Sequence, residues 1–222
     1  MENDEEAARE LHDMGLKILP VAVRGNSRVI GFNAKELIET FDLDRGGDEL
    51  PEPEWMLEKF QFVFEATKRA VRQISPDNLT WETPKRKRDL RMLTWHIFER
   101  VRVCLKSIEA GEYTRAAVTN YRKDMDYEAA GLHTAEDICR YADGVEVELE
   151  PYLIGDKLNL LEKSVPTYAG EKTLHQLLEL ALAHGFQHLR QTYEYLKMLK
   201  IEPDRPLVPG DYEGIPVTKD LF

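Results

Sequence analysis

Hydrophobic residues recur at helical spacing over four long stretches of this chain. Between Glu54 and Ile74, the residues Met56, Phe60, Val63, Phe64, Thr67, Val71 and Ile74 share one face at about 100° per residue, and Asn78 to Pro84 breaks the pattern. From Lys87 to Ala110 the stripe is Leu90, Leu93, Ile97, Val101, Cys104 and Ile108, with Gly111 as a C-terminal stop. A third helix is predicted from Thr134 to Leu153, started by the capping sequence Thr134-Ala135-Glu136-Asp137 and kinked or ended by Pro151. A fourth runs from Thr173 to Lys200, ahead of Pro203. Amphipathic helices of this length pack most simply as an antiparallel four-helix bundle, so the chain is expected to be mainly α over residues 54–201. Residues 111–133 read as a long crossover with room for a short helix, and the proline-containing stretch 202–222 as an extended tail over the surface.

The first 44 residues follow a different rhythm. A helix from Glu5 to Met14 stops at Gly15 and is followed by the β-rich runs Leu16–Val23 and Arg28–Gly31, joined by the turn-forming Arg24-Gly25-Asn26-Ser27. Asn33 caps a second helix, Ala34–Phe41. Residues 45–53, within the Asp, Glu, Gly and Pro-rich stretch that starts at Asp42, form a linker. This small α/β order resembles the second half of a glutaredoxin-like domain. Pro20 stands at the cis-proline position and Gly31-Phe32-Asn33 at the turn before the last helix. The half that would carry Cys-x-x-Cys is absent and Leu19 replaces a small or β-branched residue, so the resemblance implies no dithiol chemistry. A piece this short buries little surface alone and is expected to lean on the main domain or on another subunit.

Composition narrows the function. With 222 residues, 42% hydrophobic and 32% charged, the chain is long enough for one principal folded domain and a smaller attachment. A net charge of −11 repels phosphate backbones, and the one basic cluster, Pro84-Lys85-Arg86-Lys87-Arg88, reads as a solvated segment leading into a helix, so nucleic acid is not an expected partner. No apolar run reaches the ~20 residues of a membrane span, and the acidic start Met1-Glu2-Asn3-Asp4-Glu5-Glu6 is unlike a signal peptide, which places the expected location in the cytoplasm. Cys104 and Cys139 fit neither a disulfide framework nor a redox pair and are expected to be buried apolar residues. A homodimer is the expected state from base rates alone.

Three histidines carry the candidate chemistry. On the fourth helix Leu177, Leu180, Ala181, His184, His188, Gln191 and Tyr195 share one stripe, so His184 and His188 are expected to point inward, one turn apart. A lone histidine on an apolar face is usually a hydrogen-bonded core residue, whereas two at i and i+4 can converge on one ion. His96 lies near the edge of its helix's stripe, roughly 100° from the centre, beside Met92, Arg100 and Val103, and spacing alone does not set it opposite the pair. His12, His133 and His175 are not expected to be ligands.

The sequences Trp95-His96-Ile97-Phe98, Thr173-Leu174-His175-Gln176 and His184-x-x-x-His188-Leu189-Arg190-Gln191, with Pro203-Asp204-Arg205-Pro206-Leu207 and Gly214-Ile215-Pro216 in the tail, resemble the DinB-like superfamily of metal-binding four-helix bundles from about Glu54 to Phe222. The resemblance implies that His96, His184 and His188 bind one divalent metal, zinc or nickel. It also implies a link to enzymes that use low-molecular-weight thiols as transferases or isomerases. Ala183 departs from the pattern, since relatives often carry Trp before the first histidine of the pair, and this reshapes the pocket. Glu99, Gln187 and Gln191 are candidates to orient the imidazole rings, and Arg190 is a weaker candidate for holding substrate. Two readings follow: a metal-dependent transferase or hydrolase acting with a small thiol or another small molecule, or a non-enzymatic metal-bearing module for binding or stress response.

Overall fold

The computed structural model describes residues 9, 12, 21–25, 27–30, 40–41, 50–84, 88–167, 170–218 and 221. It divides the chain into two units, Met1–Glu49 and Leu50–Phe222. In the first, β1 (Val21–Arg24) and β2 (Ser27–Ile30) form the expected antiparallel hairpin, with Gly25 at a φ of 61° in the loop. The Arg24 guanidinium donates to the Phe41 carbonyl, and Val29 and Phe41 are buried. Pro20, Gly31-Phe32-Asn33, most of the two predicted helices and residues 42–49 of the linker lie outside the described residues, as do Lys85–Lys87 of the basic cluster.

The second unit is mainly helical. Its helices are α1 (Pro53–Arg72), the single turn α2 (Pro76–Leu79), α3 (Leu90–Ala110), α4 (Arg115–Ala130), α5 (Ala135–Ile154) and α6 (Leu174–Met198). Asp89 caps α3, accepting from Met92 N, and Gly111 ends it at a φ of 82°. Capping boxes start α5 at Thr134 with Asp137 and α6 at Thr173 with Gln176. Pro151 sits inside α5, which ends three residues later at Ile154. Among the described residues no helix is long and apolar enough to cross a membrane.

The four long helices α1, α3, α5 and α6 enclose one apolar core. Phe64 packs edge-on against Phe98 with centroids 5.0 Å apart and against Phe60 at 5.9 Å, and burying each such side chain stabilises the fold by about 2 kcal/mol. α1 and α3 lie across the core from one another, each packing chiefly on α5 and α6. Contacts fix their directions. Lys68 bonds to Asp143 and Arg72 to Glu136, so α1 and α5 are antiparallel, and His96 with His184 and Cys104 with Leu177 make α3 and α6 antiparallel. By contrast, Pro51 meets His175 and Phe62 stacks on Phe186, so neighbours α1 and α6 run the same way. Arg102 with Glu148 and Glu109 with Tyr152 show the same for α3 and α5.

The expectation that all neighbouring helices are antiparallel is therefore corrected. The reason lies in the crossover: in place of a short helix in a loop, residues 115–130 form α4, which packs on α3 and returns the chain so that α5 starts at the same end as α3. A second feature unseen in the sequence is the hairpin of β3 (Ser164–Thr167) and β4 (Gly170–Thr173) between α5 and α6. Its strands are four residues long and one contains Pro166, too little pattern to register as β-structure. The Pro166 carbonyl accepts from Tyr113 N, tying the hairpin to the α3–α4 link.

The tail is laid along the helices by named bonds and is not loose. Gln73 Nε2 donates to Glu202 O, Arg69 to the carbonyls of Asp204 and Arg205, and Lys59 Nζ to Asp211 O. Ile215 is buried.

Candidate metal centre

The pair His184 and His188 lies on α6 as spacing predicts, but the face it occupies is displaced. Leu177, Ala181, His188 and Tyr195 of the stripe are buried, but so are Leu174, Leu178, Leu182, Gly185, Phe186, Leu189, Tyr193 and Leu196 to one side of it. The stripe is therefore a margin of the buried face. Leu180, expected on it as a core residue, is 42% exposed. His188 is buried and His184 partly so.

His96 reaches the same place from α3. That helix is buried on several sides because α4, α5 and α6 all pack on it, so Trp95, Glu99 and Val103, off the apolar stripe, are buried too. The edge carrying His96 thereby meets the edge carrying His184 and His188. His96 Nε2 stands 3.1 Å from His184 Nε2. Ring centroids are 5.0 Å apart for His96 and His184, 5.3 Å for His96 and His188, and 4.2 Å for His184 and His188. One nitrogen from each ring lies within 4.8 Å of the others, a grouping that could hold a metal ion.

Two rings are oriented from behind. Glu99 Oε2, on a fully buried side chain, accepts from His96 Nδ1 at 2.7 Å. Gln191 Oε1 accepts from His188 Nδ1 at 2.7 Å. With Nδ1 the donor in both, Nε2 presents its lone pair to the common centre, the arrangement by which carboxylate and amide partners orient metal-ligating imidazoles. Burial, reinforced by the facing His188 and His96 and by the charges of Arg100 and Arg88, holds the His184 pKa far below that of an ordinary histidine, so its ring is neutral. Three imidazoles in one place make a donor set suited to a borderline divalent cation.

The other candidates sort differently. Gln187 turns its amide to the tail, donating from Nε2 to Leu221 O at 3.0 Å and accepting at Oε1 from Arg190. Arg190 also donates to Thr218 O at 2.7 Å and lies over the Tyr212 ring, so it holds the tail. His175 is buried with Nε2 2.8 Å from the Pro51 carbonyl, and His133 is a loop residue before α5 whose backbone N–H donates to Asp137. Neither joins the cluster. Cys104 is fully buried, its thiol pKa pushed up to about 12 by that burial, and Cys139 is buried with a raised pKa from the same cause. The Leu221 carbonyl behind Gln191 was not legible in the sequence, because a backbone group carries no residue-type signal.

The chain is mainly helical with three histidines converging between two helices, and comparison with solved structures supports a DinB-like fold. The structure is similar to that of a DinB-like protein, YjoA, from Bacillus subtilis, with a TM-score of 0.52 and 15% sequence identity over 69% of this chain and 96% of that one. At this identity the likeness is one of fold. No family model matches the sequence, and no curated protein matches it either.

Proposed function

We propose that the protein is a divalent-metal-binding four-helix bundle of the DinB kind, in which His96, His184 and His188 hold one zinc or nickel ion. The observation that carries this reading is the convergence of the three rings, with Glu99 Oε2 and Gln191 Oε1 each 2.7 Å from Nδ1 of His96 and His188, partners that favour the tautomers whose Nε2 is free to ligate. The donor chemistry fits. Three imidazoles leave at least one position for an outside ligand, and the Glu99 carboxylate behind His96 offsets part of the cation's charge.

We further propose that the site is that of a metal-dependent transferase or hydrolase acting with a low-molecular-weight thiol. A bound divalent ion lowers the pKa of coordinated water or holds a thiolate as nucleophile. The chain's own contribution is binding, orientation and exclusion of water, since both cysteines are buried with raised pKa values and the Glu99 oxygen is committed to His96. The nucleophile is thus supplied from outside. The N-terminal hairpin, read as part of a half-glutaredoxin segment, would serve binding or self-association and not redox chemistry.

Metal analysis of the purified protein and of its His188→Ala variant tests the site: about one divalent ion per chain is expected in the parent and none in the variant. Near-zero metal in both, after purification without chelator, overturns it. The metal-loaded protein is then assayed for transfer of small thiols to electrophiles, with loss of transfer expected in His96→Ala. Metal binding without any transfer would favour the reading as a metal-bearing binding module.

A further inference from the structure

We infer that the C-terminal strap, through the backbone carbonyl of Leu221, sets the metal affinity of the three-histidine site, with Gln191 as the positioning residue that relays it. The inference rests on the metal reading above.

The geometry has one consistent assignment. Gln191 bridges two groups: its Oε1 is 2.7 Å from His188 Nδ1 and its Nε2 is 2.6 Å from Leu221 O. A carbonyl oxygen only accepts, so the amide nitrogen must face Leu221 and the amide oxygen must face His188. The imidazole then has to carry its proton on Nδ1, which leaves the Nε2 lone pair for the cation. Without the Leu221 carbonyl, Gln191 is free to rotate its amide by half a turn, presenting a donor to His188 Nδ1 and stabilising the tautomer with its proton on Nε2, which does not ligate.

The strap is held where it can do this. Gln187, Arg190 and Gln191 lie at i, i+3 and i+4 on one face of α6. Gln187 Nε2 donates to the same Leu221 carbonyl at 3.0 Å, and Arg190 spans Gln187 Oε1 and Thr218 O at 2.8 and 2.7 Å. Upstream, Ile215 is buried, and Gly214, at a φ of 79°, lies close enough to Trp55 that a Cβ there would stand 3.6 Å from the indole. Because the bond to Gln191 is worth more when His188 is a ligand, strap docking and metal binding are reciprocally coupled.

The test measures zinc affinity by competition with a chromophoric chelator in four chains: the parent, the parent shortened to end at Thr218, Gln191→Glu, and Gln191→Glu shortened to end at Thr218. Removing a group that orients a metal-bound histidine typically lowers affinity by about 10–100-fold, and this is the loss expected on shortening the parent. In Gln191→Glu the carboxylate accepts from His188 Nδ1 in either rotation, so shortening should cost nothing further in that background. A strap that served only packing would lose the same amount in both backgrounds, and that result overturns the proposal. So does equal affinity of the parent and the shortened parent. Gln191→Leu, which keeps the other strap anchors, is expected to show the same 10–100-fold loss, and unchanged affinity there overturns the proposal even should the shortened chain fail to fold. A parent that binds no zinc overturns the metal reading itself, and the parent alone reveals that case.

Discussion

Nε2 of His96 lies 3.1 Å from Nε2 of His184, although 88 residues separate them in the chain. Two ring nitrogens at this distance can share a proton or a cation between them. The pairing ties α3 to α6 at their margins, on the same margin of α6 where Gln187, Arg190 and Gln191 hold the tail.

Glu99→Gln tests the carboxylate behind His96. The amide can still accept from Nδ1 but contributes no charge, so zinc affinity is expected to fall by about 10-fold with the fold intact. Competition titration against a chelator, with circular dichroism as the control for folding, checks this; unchanged affinity would mean that the buried carboxylate does not strengthen the site.

Cys104 gives a pH signature. Its folded pKa is raised from 9.0 to about 12, so the unfolded chain ionises first as pH rises. The stability that the buried neutral thiol contributes is fully present below about pH 9 and is lost progressively as pH climbs from there towards 12. At pH 8 neither native cysteine should react with iodoacetamide, while denaturant should expose both; mass spectrometry reads the count.

Thr173→Ala removes the hydroxyl that accepts from Gln176 N at the start of α6. Loss of such a cap costs about 1 kcal/mol, equivalent to a fall in Tm of about 2–4 °C at this chain length. Metal content should not change, because the histidines lie several turns further along. Calorimetry alongside metal analysis separates the two effects.

Gly185 stands between His184 and His188 of α6, where the helix comes close to α1 and α3. A Cβ there would meet Ile97 Cγ2 at 3.5 Å and Val63 at 3.9 Å, ordinary contact distances. Gly185→Ala is therefore expected to stabilise the fold by up to about 1 kcal/mol through helix propensity, whereas Gly185→Leu should overpack the same gap and cost about 1–3 kcal/mol. Denaturant unfolding of both variants decides, and destabilisation by alanine would contradict the spacing.

Much of this was legible in the sequence because it depends on local periodicity. Residues one turn apart on a helix share a face whatever surrounds them, which is why His184 and His188 could be paired, and the caps at Thr134 and Thr173 and the stop at Gly111 are set by short-range hydrogen bonds. Glu99 and Gln191 were nameable for the same reason, each lying three residues from the histidine it orients.

What lay beyond the sequence depends on which elements come to rest against one another. His96 sits off its helix's apolar stripe, and only the packing of α4, α5 and α6 around α3 turns that edge inward. Leu180 shows the converse: it shares the histidine stripe, yet the buried face of α6 is centred elsewhere because α1 and α3 define it. The running directions of the helices, the hairpin tied to Tyr113 and the Leu221 carbonyl behind Gln191 are all contacts between residues distant in the chain. Helical periodicity thus paired His184 with His188 and set Glu99 and Gln191 beside His96 and His188, while tertiary packing alone brought His96 to the pair and the Leu221 carbonyl to Gln191.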